Sequence, residues 1–371
     1  MAKKRLVNLI ILFISLIMTI LIIEGVLALI FPLEKNLQKA LVLGDYGVFI
    51  KEPGIEYIYS TEEYSNVVKI NSNGLRDYEY TKERTSNKYR IAMVGDSVIE
   101  GYHVKLEKTI PKLLENRLNK EGNYEVINFG FTGYGLIPLA VLIEEEISDY
   151  NPDAIILNYY IGNDLNKIAS GTFNKFPYDF WDKNKHESLK KELYKKDRIT
   201  MLKSFIKRNS MIHYFIRKNF IFESEKEGSI SGNEIYMEEY GNYISGNVVV
   251  THSIMSFLKE FADERGIEFF VVLVPAREQV NPEPQIEGYD IEKPQKILRR
   301  ILESSEINYV DILQELREIK EEIYFKNDDH FNERGNEEAT KLIHDAFMVS
   351  IDSDKMLKIK NLSDQNSKIK H

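Results

Sequence analysis

Ser97 ends the run Arg90 to Ser97, RIAMVGDS, in which a short apolar strand leads into Gly95-Asp96-Ser97. Open α/β sheets present a side chain in this way, at the carboxyl end of the first strand. A serine hydroxyl is a poor nucleophile at neutral pH. Nucleophilic chemistry here needs a base to take its proton, a carboxylate to orient that base, and N–H donors for an oxyanion. His330 is the candidate base, in the polar loop Asn327-Asp328-Asp329-His330-Phe331-Asn332. With Asp328 two residues before it, one loop supplies both the imidazole and the acid that fixes its tautomer. Asp329 competes with Asp328, and Asp328 is preferred because neighbours in extended backbone point opposite ways. Of seven histidines, His103 is the rival base, being nearest Ser97 in sequence, yet it has no acid at a fixed spacing. His213 and His344 fall in helical patterns and read as partly buried packing residues. The candidate oxyanion donors are the Ser97 N–H, the Gly133 N–H in the turn Gly130 to Gly135, and the Asn163 amide in Gly162-Asn163-Asp164. A glycine at 133 lets backbone approach an oxyanion closely.

These residues can meet only if the intervening chain forms a sheet. The expected elements alternate: strand Arg90 to Val94, helix Leu106 to Lys120, strand Glu125 to Phe129, helix Leu136 to Tyr150, strand Ala154 to Ile161. After an interruption the pattern resumes with helix Asn247 to Arg265, strand Ile267 to Val274, helix Glu292 to Ser304 and strand Asn308 to Ile312. A helix around Leu313 to Ile319 and a last helix, Glu333 to about Met348, complete it. Strands separated by helices of this length read as right-handed βαβ crossovers in a parallel sheet, whose carboxyl edge carries the ligand. Ser97, Gly133 and Asn163 all follow strand ends on that edge.

Around this block, 90–348, the sequence divides into 1–32, a tyrosine-rich connector 33–89 and a polar, lysine-rich tail 349–371. The connector carries weak strand patterns at Tyr57 to Tyr59 and Val67 to Ile70. It ends in Arg76-Asp77, which reads as a surface ion pair. The interruption, 165–245, reads as an inserted segment with one tryptophan, Trp181, and a basic stretch from Lys183 to Lys218. Within it, Arg198 to Phe222 has helical spacing, either as a cap packed on the main domain or as a helix lying on an anionic membrane or glycan surface.

Lys3, Lys4 and Arg5 precede an apolar run from Leu6 to Ile23, and the apolar character continues to Phe31. Eighteen residues as a helix span roughly 27 Å, near the thickness of a bilayer core. The basic cluster places the N-terminus in the cytoplasm and the rest outside, with Glu24 at the outer interface, where it reaches water. A cleaved signal peptide is the alternative, and the length of the apolar run favours a retained anchor. A net charge of −9 disfavours nucleic acid as a partner, and the absence of cysteine removes disulfides and thiol chemistry. No cofactor is implied, and no metal, because no second histidine stands at ligand spacing from Asp328, Asp329 and His330.

Four ordered blocks resemble the SGNH or GDSL hydrolases: Gly95-Asp96-Ser97, Asn128-Phe129-Gly130-Phe131-Thr132-Gly133, Gly162-Asn163-Asp164, and Asp328 with His330. The resemblance implies a flavodoxin-like three-layer α/β/α sandwich with a parallel sheet. It further implies Ser97 as nucleophile, His330 as base, Asp328 as acid, and Ser97, Gly133 and Asn163 as the oxyanion hole. The family's usual last block has its aspartate three residues before the histidine, where this chain has Asn327. The Asp-x-His spacing is similar to that of membrane-associated polysaccharide O-acetyltransferases of the alginate-modifying type. The expected activity is therefore esterase action on an O-acyl group of a cell-envelope glycan or lipid. O-acyl transfer by the same residues is the alternative, with a membrane partner supplying acyl groups. A third reading is a non-catalytic glycan-binding or assembly protein.

Overall fold

The structure is a computed structural model that describes residues 2–31, 40–43, 49–84, 87–166, 168, 210–212, 234–282 and 288–351. The basic and apolar N-terminal sequence forms helix α1 (Ala2–Ile30). From Lys4 to Ile30 it is long and apolar enough to cross a membrane, and Lys4 to Ile23 are all exposed. Two antiparallel pairs follow, β1 (Leu41–Leu43) with β2 (Phe49–Lys51), and β3 (Glu56–Ser60) with β4 (Ser65–Lys69). The weak strand patterns of the connector are thus a real hairpin.

The main sheet begins with β5 (Tyr89–Gly95), followed by the short helix α2 (Ser97–Glu100). Next come α3 (Ile110–Leu118), β6 (Tyr124–Gly130), α4 (Leu136–Glu145) and β7 (Ala154–Tyr160). The second half contains α5 (Asn242–Glu264), β8 (Glu268–Val274), α6 (Arg277–Val280) and α7 (Lys293–Ser304). It closes with β9 (Asn308–Asp311), α8 (Leu313–Arg317) and α9 (Glu333–Ser350). The five strands lie in the order β6-β5-β7-β8-β9, and every neighbouring pair is parallel. This is the flavodoxin-like order, 2-1-3-4-5 when the strands are numbered within the sheet.

Burial on both faces explains why these strands read as continuous apolar runs and not as alternating ones. On one face Ala92, Val94, Ile127, Leu157 and Val271 pack against Leu139, Ile254 and Leu298, from α4, α5 and α7. On the other, Ile91, Met93, Val126, Ile156 and Val272 pack against Leu114, Leu316 and Ile343, from α3, α8 and α9. The result is a three-layer α/β/α sandwich.

Several boundaries differ from expectation for identifiable reasons. The helix expected from Leu106 is a turn of 3₁₀ helix, Leu106–Lys108, and α3 starts only at Ile110. Pro111 falls in the first turn of α3, where its missing N–H does no harm, whereas inside a longer helix its ring would strike the preceding turn. The helix expected to reach Tyr150 ends at Glu145 and gives way to 3₁₀ helix Ile147–Tyr150. In the second half α5 begins at Asn242 rather than Asn247.

Arg76 and Asp77 are not a surface ion pair, since both are buried and neither bonds the other. Arg76 donates to the carbonyls of Glu100 at 2.8 Å and Val104 at 2.7 Å. Asp77 pairs with the buried Lys112 at 2.8 Å and accepts the Asn128 N–H at 2.7 Å. Burial pushes the Asp77 carboxyl up despite Lys112. Tyr57, Val68 and Ile70 form a small separate core with Tyr102, so the described part of the connector packs against the loop that follows α2. Glu24, expected to reach water, is partly exposed and accepts the Ser210 hydroxyl and the N–H groups of Met211 and Ile212. The expectations for Trp181, His213, Lys183 to Lys218, the helix Arg198 to Phe222 and residues 352–371 lie outside the described residues or rest largely on undescribed ones.

Candidate active site

The β5–α2 junction fixes Ser97. Asp96 caps α2 by accepting the Val98 N–H through Oδ1 at 2.9 Å, and its Oδ2 accepts the Asn163 side-chain amide at 3.0 Å. An aspartate at this position satisfies a helix N–H that has no partner within the helix. One fully buried carboxylate thus ties the serine turn to the turn after β7. Burial raises the Asp96 carboxyl, with the bonds from Val98 and Asn163 and the charge of His330 acting against it. Its neighbour Asp164 accepts the Tyr160 N–H at 2.8 Å. Burial and then the charge of Asp96 push Asp164 far above the carboxylate range.

His330 reaches Ser97 from a hairpin at the far end of the chain. The Tyr324–Phe331 bridge closes that hairpin, and the Phe325 N–H donates to the His330 carbonyl at 3.1 Å. His330 Nε2 lies 2.7 Å from Ser97 Oγ. On the other side of the ring, Nδ1 faces Asp328 Oδ1, which also accepts the His330 backbone N–H at 3.0 Å. The Asp-x-His spacing therefore closes a small ring in which one carboxylate oxygen holds both the backbone and the imidazole of His330. Asp329 is exposed. Burial lowers the His330 pKa, but the hydrogen bond and charge of Asp328 outweigh it, and the net shift is upward. Burial would raise Asp328, and the bonds from His330 and Tyr64 instead hold it well below the carboxylate range.

Buried carboxylates hold the turns that carry Gly133 and Asn163. Gly133 has φ +79° with open space where a Cβ would lie. The turn that carries it is held from behind: Glu100 accepts the Thr132 N–H at 2.8 Å and the Thr132 hydroxyl, and pairs with Lys51 at 3.1 Å. Burial alone would raise Glu100, yet Lys51 and Thr132 bring it below its ordinary value. Gly130 is required for a different reason, because a Cβ there would sit 2.0 Å from the Glu100 backbone nitrogen. Asn163 spends one of its two amide hydrogens on Asp96, which leaves one for another acceptor.

The rival base His103 is buried beside His330, with ring centroids 4.6 Å apart, and neither of its nitrogens has a hydrogen-bond partner. Burial drives its pKa far below the ordinary imidazole value. His344 is buried in α9, as expected of a packing residue. Among the described residues, no group of three or more His, Asp or Glu side chains is arranged to hold a metal ion. Asp96, Glu100, Lys51 and Tyr64 were not anticipated from the sequence. Only Asp96 carried a signal, as an aspartate in the cap position before a short helix.

Residues 251–359 match the family model described as SGNH hydrolase-like domain, acetyltransferase AlgX. This segment is similar to an SGNH hydrolase-like domain. No curated protein sequence matches it. Aligned solved structures include a GDSL-like lipase from Bacteroides thetaiotaomicron, with 14% identity, TM-score 0.38, and coverage of 71% of this chain and 89% of that one. An acetyl xylan esterase aligns with 14% identity and TM-score 0.40, over 71% of this chain and 100% of that one. A psychrotrophic esterase from Pseudoalteromonas sp. aligns with 11% identity and TM-score 0.39, over 71% and 98%.

Proposed function

We propose that this protein is a membrane-anchored serine esterase that removes an O-acyl group, most simply O-acetyl, from a cell-envelope glycan or lipid. The observation that carries the reading is the Ser97 Oγ to His330 Nε2 contact of 2.7 Å, with Asp328 on the opposite ring nitrogen. Ser97 Oγ attacks the ester carbonyl and His330 Nε2 takes its proton. The tetrahedral oxyanion is met by the Ser97 and Gly133 N–H groups and the free Asn163 amide hydrogen. Collapse expels the alcohol, which receives the proton from His330 and leaves an acyl-serine. Water then gives a proton to His330 and attacks the acyl carbon; the acyl–Oγ bond breaks, His330 returns the proton to Ser97 Oγ, and the acid is released. On this reading 1–32 is the anchor, with its basic end in the cytoplasm, and 90–348 is the catalytic domain outside. The insertion lies between β7 and α5.

The description of the matched family as an acetyltransferase favours a second reading, in which a sugar hydroxyl replaces water in the last step. The full-length protein in detergent, given p-nitrophenyl acetate with and without an oligosaccharide acceptor, separates the two. Hydrolysis predicts free acetate equal to p-nitrophenol in both cases. Transfer predicts faster p-nitrophenol release with less free acetate when the sugar is present. A folded protein with neither turnover nor fluorophosphonate labelling at Ser97 would overturn both.

The same assay gives a pH prediction. His330 must be neutral to accept the serine proton, and its pKa is raised, so activity should fall on the acid side with a midpoint above the ordinary 6.5. A profile of kcat/KM that stays flat from pH 5 to 8 would count against His330 as the base.

A further inference from the structure

The hairpin β3–β4 contributes two side chains to the loop that carries Asp328 and His330. At its tip the Thr61 N–H donates to the Tyr64 carbonyl at 2.8 Å, and Thr61 Oγ1 accepts the N–H groups of Glu63 at 3.2 Å and Tyr64 at 3.3 Å. This tight turn directs Glu63 and Tyr64 at the Asp-x-His loop. Glu63 accepts the Lys326 and Asn327 N–H groups, one on each carboxylate oxygen, both at 2.7 Å. Tyr64 Oη donates to Asp328 Oδ2 at 2.7 Å, while its ring packs on Phe325 with centroids 4.8 Å apart. The hairpin is itself fastened to the domain by Tyr57 and Val68, which pack with Tyr102.

We infer that hairpin β3–β4 is a clamp on the Asp328–His330 loop, with Glu63 fixing its backbone and Tyr64 acting as a positioning residue for the carboxylate. The inference rests on the role proposed for Asp328 and His330. Both carboxylate oxygens of Asp328 are engaged: Oδ1 with His330 and Oδ2 with Tyr64. A carboxylate held at one oxygen only could rotate, and its bond to the imidazole would rotate with it. The phenol also draws negative charge toward Oδ2 and away from the oxygen that His330 uses. The charged and titratable groups around His330 are Asp328 and Asp329 on its own loop, Asp96 beside α2, and His103 and Tyr102 after α2. Tyr64 bonds Asp328 and its ring also meets the edge of His103, with centroids 6.2 Å apart, while it makes no hydrogen bond to His330 itself.

The test is Tyr64→Phe, which keeps the ring on Phe325 and removes only the hydroxyl, and Glu63→Gln, both in the full-length protein in detergent. The His330 imidazole is titrated by NMR with histidine-selective labelling, and kcat and KM are measured with p-nitrophenyl acetate. Tyr64→Phe should raise the His330 midpoint by about 0.5–1 unit, because Asp328 then presents fuller charge to the imidazolium. It should also lower kcat about tenfold with KM within about twofold. Glu63→Gln should lower kcat by about 3–10-fold without moving the midpoint, since it touches only backbone. A Tyr64→Phe protein with the parent midpoint and the parent kcat would overturn the clamp. The titration needs no turnover. If the parent never cleaves an ester, the esterase reading fails while the midpoint shift still decides whether Tyr64 acts on the Asp328–His330 pair.

Discussion

Ser97→Ala should lower ester turnover by about 10⁴-fold or more while leaving the protein folded. The size of the loss follows from the route: without Oγ there is no acyl-serine, and the residual rate comes only from binding and the oxyanion donors. The fold should tolerate the change. Asp96, and not Ser97, caps α2 by accepting the Val98 N–H, and among the described residues the Ser97 hydroxyl bonds only His330 Nε2. Alanine also suits the first helical position. Burst amplitude with p-nitrophenyl acetate, fluorophosphonate labelling and a thermal melt together check this. A variant that retains more than about a tenth of parent turnover would place the nucleophile elsewhere. An unchanged cellular role despite lost turnover would favour a binding or assembly protein.

The second large effect is Asp328→Asn, expected to cost about 10³–10⁴-fold in kcat, against a change within about threefold for Asp329→Asn. Asp328 Oδ1 receives both the backbone N–H and Nδ1 of His330, and Tyr64 occupies Oδ2. An amide at 328 has one oxygen for these three donors. Its NH₂ must then face a donor or leave His330 in the tautomer that protonates Nε2, which cannot accept the serine proton. Asp329 is exposed and is held to neither ring nitrogen. Steady-state kinetics on the two variants check the assignment. Equal losses, or a larger loss at 329, would transfer the acid's role to Asp329.

The sheet and the order of its turns were legible because a doubly covered parallel strand must be apolar throughout, and Arg90 to Val94, Glu125 to Phe129 and Ala154 to Ile161 are nearly so. The pairing of His330 with Asp328 was legible because both lie in one short loop. What could not be read were the contacts made by charged and polar residues across long stretches of chain. Tyr64 meets Asp328 over 264 positions, and nothing local to Thr61-Glu62-Glu63-Tyr64 separates a clamp from a solvated hairpin tip. Arg76 and Asp77 looked like a surface pair for the same reason. Their partners, the carbonyls of Glu100 and Val104 and the ammonium of Lys112, come from other elements. Lys51, Glu100 and Thr132 lie on three separate elements, so their ion pair and hydrogen bonds have no signature in spacing.

Ser97 and His330 are 233 residues apart, and His330 precedes only the last helix of the sandwich. Domains fold from the amino end as the chain is synthesised, and contacts this distant form late. On the proposed reading, the nucleophile side is laid down first during synthesis, as an inert alcohol on a half-built sheet. It would gain its base only when the final hairpin closes and α9 docks beside α3. A nascent or truncated chain would then be chemically silent, with reactivity appearing in step with the completion of the fold.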